Sequence, residues 1–99
     1  MSLKTELSER SAFVYMVECC DGSLYTGWTT DAEQRVRTHN SGKGAKYTRS
    51  RLPVILVYLE KADEKKAAMK REAAIKKLTP SQKRRLIGSD GNLVKRIER

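Results

Sequence analysis

Apolar and polar residues near the start of the chain follow a pattern that predicts a β-hairpin. The run from Phe13 to Val17 is β-branched and aromatic, and the same character resumes from Leu24 to Thr26. Asp21-Gly22, between the two runs, is a dipeptide that favours tight turns. We therefore predict two antiparallel strands joined by a short loop.

A helix and a basic loop are predicted next. Thr30-Asp31-Ala32-Glu33 matches the capping box, in which a hydroxyl and a carboxylate each satisfy a free amide at the start of a helix. The helix is expected to run from about Asp31 to Ser41, with Gly42 ending it. Residues 42–53 combine glycine, proline and four cations, which is typical of a mobile basic loop.

One more strand and two more helices complete the pattern. Val54 to Leu59 is a nearly continuous apolar run, as in a strand covered on both faces. From Asp63 to Leu78 most residues are strong helix formers, and Thr79-Pro80-Ser81-Gln82 opens another helix that Gly88 should end. The order β-β-α-β-α-α predicts an α+β fold, a small three-stranded antiparallel sheet flanked by helices.

Composition is that of one small soluble domain with a strong positive charge. No stretch approaches the ~18 apolar residues that span a bilayer, and the first ten residues lack the apolar centre of a signal peptide. A cytoplasmic protein with no membrane association is therefore expected. The formal net charge of +9 over 99 residues favours a polyanionic partner, although charge alone does not separate DNA from RNA.

The only two cysteines, Cys19 and Cys20, are adjacent. Neighbouring residues of a strand point to opposite faces, so this pair fits neither a disulfide framework nor a zinc site. Ordinary packing in the strand is the expected role.

Two tyrosines on the predicted hairpin are the first candidates for chemistry. A loop of odd length, such as Asp21-Gly22-Ser23, would bring Tyr15 and Tyr25 to one face, whereas a two-residue Asp-Gly loop would separate them. Gly27 follows the second tyrosine. Tyrosines are also common sheet residues with a buried ring and a wet hydroxyl, and the pattern by itself favours that structural role over catalysis.

Arg35 and His39 lie four residues apart on the first predicted helix and share a face with Ala32 and Val36. Both are expected at the edge of the surface that packs on the sheet. A guanidinium there could bind phosphate oxygens bidentately, and an imidazole could transfer a proton. A snorkelling arginine beside a solvated histidine is an equally weighted alternative.

Glu72 lies one turn from both Ala68 and Ile75, beside the apolar arc of a helix dominated by lysine. A carboxylate there could anchor a magnesium ion that keeps several waters and meets a substrate phosphate. An ion pair within the helix is the simpler alternative. The candidate partners of that ion pair are Lys65, Arg71 and Lys76.

The basic loop interleaves cations with glycines and one aromatic ring. Cations and exposed amides suit phosphate groups, and a tyrosine ring suits a nucleobase by stacking. A solvated flexible loop is the alternative. The candidate nucleic-acid-binding residues are Lys43, Lys46, Tyr47, Arg49 and Arg51.

Together these positions resemble the GIY-YIG nuclease family. Val14-Tyr15 and, ten residues later, Tyr25-Thr26-Gly27 match the two tyrosine motifs, while Arg35, His39 and Glu72 match the helix residues. The likeness is to a small stand-alone bacterial branch, which is related to the catalytic modules of homing endonucleases and of the bacterial nucleotide-excision repair nuclease.

The resemblance covers residues 11–87 and leaves residues 88–99 as a C-terminal tail that we expect to be flexible. Two positions depart from the motifs. Phe13 stands in place of the first glycine of the family name, and Thr26 replaces the central isoleucine of the second motif. Both belong to the scaffold around the tyrosines, so no proposed catalytic group is lost.

The resemblance implies roles for five residues. Tyr15 and Tyr25 would lie near the attacking water, one of them as general base, and Arg35 would stabilise charge on the phosphate together with His39. Glu72 would hold one Mg²⁺ or Mn²⁺ ion. The implied activity is metal-dependent endonuclease cleavage of nucleic acid, DNA more than RNA, in repair or recombination, by a monomer.

Two other functions remain open from the sequence. A non-catalytic nucleic-acid-binding module would keep the fold and the basic surface, and an adaptor would use the basic face to dock an acidic protein. Because so small a domain has little area for reading base edges, a protein partner that supplies specificity is also a possibility for the enzyme.

Overall fold

The computed structural model describes residues 11–94. Within that range the elements follow the predicted order with one addition, a single helical turn inside the basic loop. None of the helices in this part of the chain is long and apolar enough to cross a membrane. The elements are β1 (Ala12–Glu18), β2 (Leu24–Thr29), α1 (Ala32–Asn40), α2 (Lys46–Arg49), β3 (Ile55–Ala62), α3 (Lys65–Lys76) and α4 (Pro80–Ile87).

The strands form one antiparallel sheet in the order β2-β1-β3, which confirms the predicted α+β fold. The central strand β1 is buried on both faces. Val14 and Met16 pack on one face with residues of α3 and α4, whereas Tyr15 and Val17 lie on the other face, the one that α1 covers. Because successive side chains alternate between faces, β1 contributes to both layers of the core.

The strand β3 contributes side chains to the core on both faces of the sheet, as its apolar run predicted. Val57 and Tyr58 pack in the cluster with α3 and α4, whereas Leu56 and Leu59 pack in the cluster with α1. In the observed order β3 has a single neighbour, so it is an edge strand, and Ile55, at its start, is 63% exposed. The cover over β3 is therefore less complete than the cover over β1.

The hairpin loop has an odd length, as the same-face arrangement of the tyrosines requires. The Cys19 amide donates to the Ser23 carbonyl at 2.8 Å, which leaves residues 20–22 as the turn, one position earlier than predicted. Gly22 has a φ of +86°, in the left-handed region that favours glycine. Cys19 is buried and Cys20 is exposed.

Strand register brings the two motif tyrosines together. Tyr15 pairs with Gly27, and Val17 pairs with Tyr25. Since side chains two positions apart on a strand share a face, Tyr25 lies on the same face as Tyr15.

The helix α1 begins one residue later than the predicted capping box implies. Asp31, and not Thr30, is the N-cap, and its carboxylate accepts the amide of the residue three positions on at 3.1 Å. Gly42, with a φ of +84°, follows the end of the helix as predicted. The Asn40 side chain accepts from the Val54 amide at 2.7 Å and donates to its carbonyl at 3.0 Å, which ties the end of α1 to the segment before β3.

Residues 42–53 were expected to be an open, mobile loop, and that expectation is wrong for their middle part. The turn α2 lies there, and Thr48 within it is fully buried. Its hydroxyl donates to the Ala45 carbonyl at 2.9 Å. Through this turn the segment packs against α1, with the Thr48 hydroxyl beside the ring of His39.

The last helix has the predicted cap and end. The Thr79 hydroxyl accepts from the Gln82 amide at 3.1 Å, the Gln82 side chain accepts from the Thr79 amide at 2.9 Å, and Gly88 closes the helix. This capping box is confirmed in both directions.

Residues 88–94 belong to the segment predicted as a tail, and Asn92 hydrogen-bonds them to the domain. The Asn92 amide nitrogen donates to the carbonyls of Val57 and Ile87 at 2.8 Å each, and its oxygen accepts from the Leu59 amide at 3.1 Å. Part of the edge of β3 is therefore covered. The rest of the predicted tail, residues 95–99, lies outside the described residues.

Candidate active site

A buried tyrosine and the chain's one histidine form the centre of the candidate site. Tyr15 and His39 are each 1% exposed, and the Tyr15 hydroxyl oxygen lies 2.8 Å from Nε2 of His39. The sequence placed His39 at a helix edge. It is buried instead, because the segment that contains Gly44 and Thr48 folds over it.

The hydrogen bonds around His39 determine where its ring proton lies. Nδ1 is 3.0 Å from the Thr48 hydroxyl oxygen, and that hydroxyl already donates its one proton to the Ala45 carbonyl. Thr48 can therefore only accept from His39, which places the proton on Nδ1. Nε2 is then an acceptor, so the Tyr15 phenol is the donor of the 2.8 Å bond.

Burial keeps both members of the pair neutral. It raises the pKa of Tyr15 to about 12, against smaller opposing effects of Arg35. Burial also lowers the pKa of His39, and the positive charge of Arg35 lowers it further. At neutral pH the resting pair is thus a phenol that donates to a neutral imidazole.

Two glycines provide the space that this pair occupies. A Cβ at Gly27 would lie 2.5 Å from the Tyr15 hydroxyl oxygen and 2.7 Å from Cζ of the same ring. A Cβ at Gly44 would overlap Nδ1 of His39 and lie 2.9 Å from its Cα. Close approach, and not a special backbone conformation, therefore requires glycine at both positions.

The second motif tyrosine lies on the other side of the histidine. The Tyr25 ring meets His39 edge to face, with 5.5 Å between the ring centroids, and it stacks on Tyr47 at 5.9 Å. Lys76 Nζ lies 5.9 Å from the Tyr25 centroid. Tyr25 is half-buried, so it is the more accessible of the two tyrosines.

Arg35 and Glu72 complete the group of five residues that the sequence singled out. Arg35 is exposed, and its charge acts to lower the pKa of Tyr15, whereas Glu72 acts to raise it. The Glu72 side chain is 19% exposed and forms the ion pair with Lys76, at 3.3 Å, that was the simpler alternative. Both the helix ion pair and the proximity to the tyrosines are therefore present.

The capacity to hold a metal ion rests on Glu72. Among residues 11–94 there is no group of three or more histidine, cysteine, aspartate or glutamate side chains that could enclose an ion. A single accessible carboxylate does not fit zinc, which needs three or four protein ligands. It does fit Mg²⁺ or Mn²⁺, hard ions that keep water ligands and share the oxygens of a phosphate.

An open cleft of about 550 Å³ adjoins the site. Tyr25 and Arg35 line it, together with polar side chains of α1 such as Gln34 and Thr38 and with Lys43 from the basic segment. We call it the α1 cleft. Its hydroxyl, amide and cationic groups suit a sugar-phosphate chain and nucleobase edges.

The basic segment uses part of its charge within the protein. Arg51 pairs with Asp21 at 3.1 Å and lies over the Tyr47 ring, with 3.9 Å from Cζ to the centroid. Tyr25 stacks on the same ring, with 5.9 Å between the ring centroids. Stacking of a base on the face of Tyr47 that Arg51 covers would therefore require Arg51 to move.

The other cations of the segment are more available to a ligand. Lys43 and Lys46 take part in no ion pair within the described range, and Lys43 lines the α1 cleft. Arg49 donates from Nε to the Gly44 carbonyl at 3.3 Å, which leaves the rest of its guanidinium exposed.

Sequence reasoning did not find Thr48 or the role of Gly44. Both lie in a stretch whose glycines and cations indicated phosphate binding, and that pattern contains no signal for contact with a histidine several residues earlier. Only the turn α2 brings the Thr48 hydroxyl to Nδ1 of His39.

We expect His39 to titrate below the usual histidine pKa of 6.5, because burial disfavours its charged form. Below pH 6.5 the unfolded chain then binds more protons than the folded one, so the free energy of unfolding should fall as the pH drops from 6.5 towards the folded pKa. The chain has one histidine, so its NMR ring signals report this residue alone. A ring that titrates at 6.5 or above would contradict the burial argument.

The structure is a small α+β domain in which a three-stranded antiparallel sheet carries helices on both faces. A model of the GIY-YIG catalytic domain matches residues 11–85. The chain belongs to the GIY-YIG family.

Relatives and solved structures agree with this membership. A UPF0213 protein of Streptococcus pyogenes serotype M5 is 56% identical over 78 residues, which cover 78% of this chain and 85% of the relative. A UPF0213 protein of Haloquadratum walsbyi is 56% identical over 82 residues, with 81% and 92% covered. The solution NMR structure of a UPF0213 protein from Bacillus halodurans has a TM-score of 0.53 at 46% identity, with 82% of this chain and 86% of that chain covered.

A second solution NMR structure, of a protein from E. faecalis, has a TM-score of 0.54 at 49% identity and covers 77% of this chain and 81% of that chain. The names of these relatives state no activity. Membership of the GIY-YIG family indicates a nuclease, and GIY-YIG nucleases generally use divalent metal ions.

Proposed function

We propose that the protein is a metal-dependent endonuclease that hydrolyses phosphodiester bonds of nucleic acid, with DNA as its main substrate. The observation that carries the proposal is the buried hydrogen bond from the Tyr15 phenol to Nε2 of His39. A structural tyrosine would be satisfied by any acceptor. This one donates to a neutral imidazole that is itself held in a single tautomer.

The pair can remove a proton from water without a resting phenolate. The Tyr15 oxygen accepts a proton from the attacking water while its own proton passes to Nε2 of His39. A free phenolate would be scarce at neutral pH, since the pKa of Tyr15 is about 12. The relay avoids that cost because no charge is left on the tyrosine.

Arg35 connects substrate binding to this relay. Its guanidinium would bind the non-bridging oxygens of the scissile phosphate and stabilise the charge that develops there. Arg35 lowers the pKa of His39 in the free protein. A bound phosphate offsets that positive charge, so the histidine becomes a better proton acceptor when the substrate is in place.

Glu72 would hold one divalent ion, Mg²⁺ or Mn²⁺, through its carboxylate. The ion would supply positive charge that neutralises the phosphate and assists departure of the leaving oxygen. Glu72 must first release Lys76, its present partner at 3.3 Å. An ion pair this exposed is weak, so a divalent ion with a phosphate is a sufficient competitor.

A non-catalytic nucleic-acid-binding module is the second candidate. The Glu72–Lys76 ion pair favours it, because the carboxylate is satisfied without a metal ion. This candidate predicts binding that weakens steeply with salt and is indifferent to chelator.

Cleavage of labelled single-stranded, duplex and flap DNA and of RNA, with Mg²⁺, Mn²⁺ or EDTA, tests the proposal. We expect cutting that EDTA abolishes and that Glu72→Gln slows at least about a hundredfold, while binding persists. Glu33→Gln, the same change on an exposed carboxylate of α1, is the matched control and should cut normally. Binding with no cutting under any metal would favour the second candidate.

A further inference from the structure

A second concave surface adjoins the α1 cleft at Tyr25, which lines both. Two adjoining depressions of about 210 and 190 Å³ share three lining residues, Leu24, Tyr47 and Lys83. One depression reaches Tyr25, and the other reaches the first turn of α4 and the hairpin turn. We call the combined surface the lysine groove; its main lining residues are Leu24, Tyr25, Tyr47, Lys76, Pro80 and Lys83.

Arg84 sets the position of α4 against the hairpin and thereby forms this groove. Its guanidinium donates to the Gly22 carbonyl at 2.6 Å and to the Glu18 carboxylate at 3.2 Å. Because the Arg84 guanidinium makes both contacts inside the protein, it is less available to a ligand. Lys83, the preceding residue, is left as the cation of α4 that faces the groove.

Within the described part of the chain, the charge of Lys83 has no partner. The residue is half-buried and takes part in no ion pair among residues 11–94. The second cation of the groove, Lys76, pairs with Glu72. Apolar walls beside an unpaired lysine suit a chain of phosphates joined by sugars, since lysine binds phosphate as a point charge and its stem packs on apolar surface.

Tyr25 lines both the α1 cleft and the lysine groove. A chain that crosses this ring therefore enters both surfaces. The two surfaces differ in chemistry, because side-chain hydroxyls and amides dominate the first, whereas cations and apolar walls dominate the second.

We propose that the lysine groove binds the phosphate backbone of the substrate on one side of the scissile bond, with the α1 cleft holding the other side. This inference rests on the proposed function. It assigns Lys83 as a substrate-binding residue outside the five residues that the sequence singled out. It also places the path of the bound strand across the ring of Tyr25.

Binding of fluorescent DNA oligonucleotides by Lys83→Gln provides the first test. Because one phosphate contact is lost, affinity at about 0.1 M salt should fall roughly fivefold and the salt dependence should become shallower by about one counterion. Lys70→Gln is the matched control, with the same loss of charge on an exposed residue of α3 that lies two positions, or about 200°, away from Glu72 on the helix. It should change affinity much less.

The length of the oligonucleotide on each side of the cut position gives a second readout. With the cut position held constant, oligonucleotides are lengthened on one side or on the other. The wild type should gain affinity from added nucleotides on both sides, and Lys83→Gln should lose the gain on one side only. An equal loss on both sides, or equal effects of Lys83→Gln and Lys70→Gln, would overturn the groove assignment.

The two proposals fail in distinguishable ways. If the protein binds DNA and never cuts it, the endonuclease proposal fails, while the affinity comparison still decides the role of Lys83. If it cuts DNA and Lys83→Gln behaves like its control, the groove assignment fails alone. Tighter binding of an acidic peptide than of DNA, lost in Lys83→Gln, would also overturn the assignment by making the groove a protein-docking surface.

Discussion

Tyr15→Phe should slow cleavage by at least about a hundredfold and leave nucleic-acid binding nearly unchanged. The phenylalanine ring retains the packing over Gly27, and only the hydroxyl that lies 2.8 Å from His39 is lost. In the proposed relay this hydroxyl accepts the proton of the attacking water and passes its own proton to the imidazole. The measurement is single-turnover cleavage together with an anisotropy titration of the same labelled substrate.

Loss of stability must be separated from loss of chemistry in this variant. His39 Nε2 becomes a buried acceptor without a donor, which costs about 1–3 kcal/mol of unfolding free energy. Tyr58→Phe is the matched control, because Tyr58 is 2% exposed and its hydroxyl also donates a hydrogen bond, a partly buried one of 2.5 Å to Glu60. Tyr58 lies on the opposite face of the sheet, among the core residues that pack with α3 and α4.

The two tyrosine variants should therefore differ in activity and not in the direction of their stability change. Tyr58→Phe should unfold more easily than the wild type and still cut. Retained cutting in Tyr15→Phe would remove Tyr15 from the proton relay. A loss of the same size in both variants would attribute the effect to folding.

Gly27→Ala, which adds one methyl group to the second motif, should strongly destabilise the protein. The new Cβ would lie 2.5 Å from the Tyr15 hydroxyl oxygen and 2.7 Å from Cζ, closer than such atoms pack. The Tyr15 ring is 1% exposed, so it can move only by displacing the residues packed around it. We expect a loss of about 2 kcal/mol in the free energy of unfolding and a Tm lower by roughly 10 °C.

Cleavage should fall in this variant as well, because a displaced Tyr15 ring lengthens its hydrogen bond to His39. Gly91→Ala is the control, since a Cβ there meets nothing within 4 Å. It should change Tm by no more than about 2 °C, as an exposed substitution does. If Gly27→Ala and Gly91→Ala have the same Tm, the Tyr15 ring can accommodate the new methyl group, and the argument from close packing at Gly27 is wrong.

Local sequence patterns were enough to predict most of the secondary structure. The capping box at Thr79 and Gln82 needs only four neighbouring residues, and it formed as predicted. Asp31 took the role predicted for Thr30 because the two candidate caps are adjacent, and which one accepts the amide depends on where helical geometry begins. The grouping of Tyr15 with Tyr25 depended on an odd hairpin loop, and the observed turn over residues 20–22 meets that condition.

The pattern failed where burial depends on distant elements. The apolar run of β3 predicted its contribution to both faces, but it carried no signal that β3 lies at the edge of the sheet, which results from the pairing order. The composition of residues 42–53 indicated a loop, but the turn α2 forms there and its own residue Thr48 is buried. Neither outcome can be derived from composition, because both depend on which surface each segment meets in space.

The sequence by itself determined the order of all the elements except α2, the excess of positive charge and the residue types available for chemistry. It left the face of the two motif tyrosines dependent on the length of the hairpin loop. Only the tertiary structure decided that His39 is buried, that Thr48 selects its tautomer and that Tyr15 donates to it. The physical reason is that hydrogen-bond direction and desolvation arise from contacts between segments far apart in the chain. Periodicity records which face a side chain takes, but it does not record what that face meets.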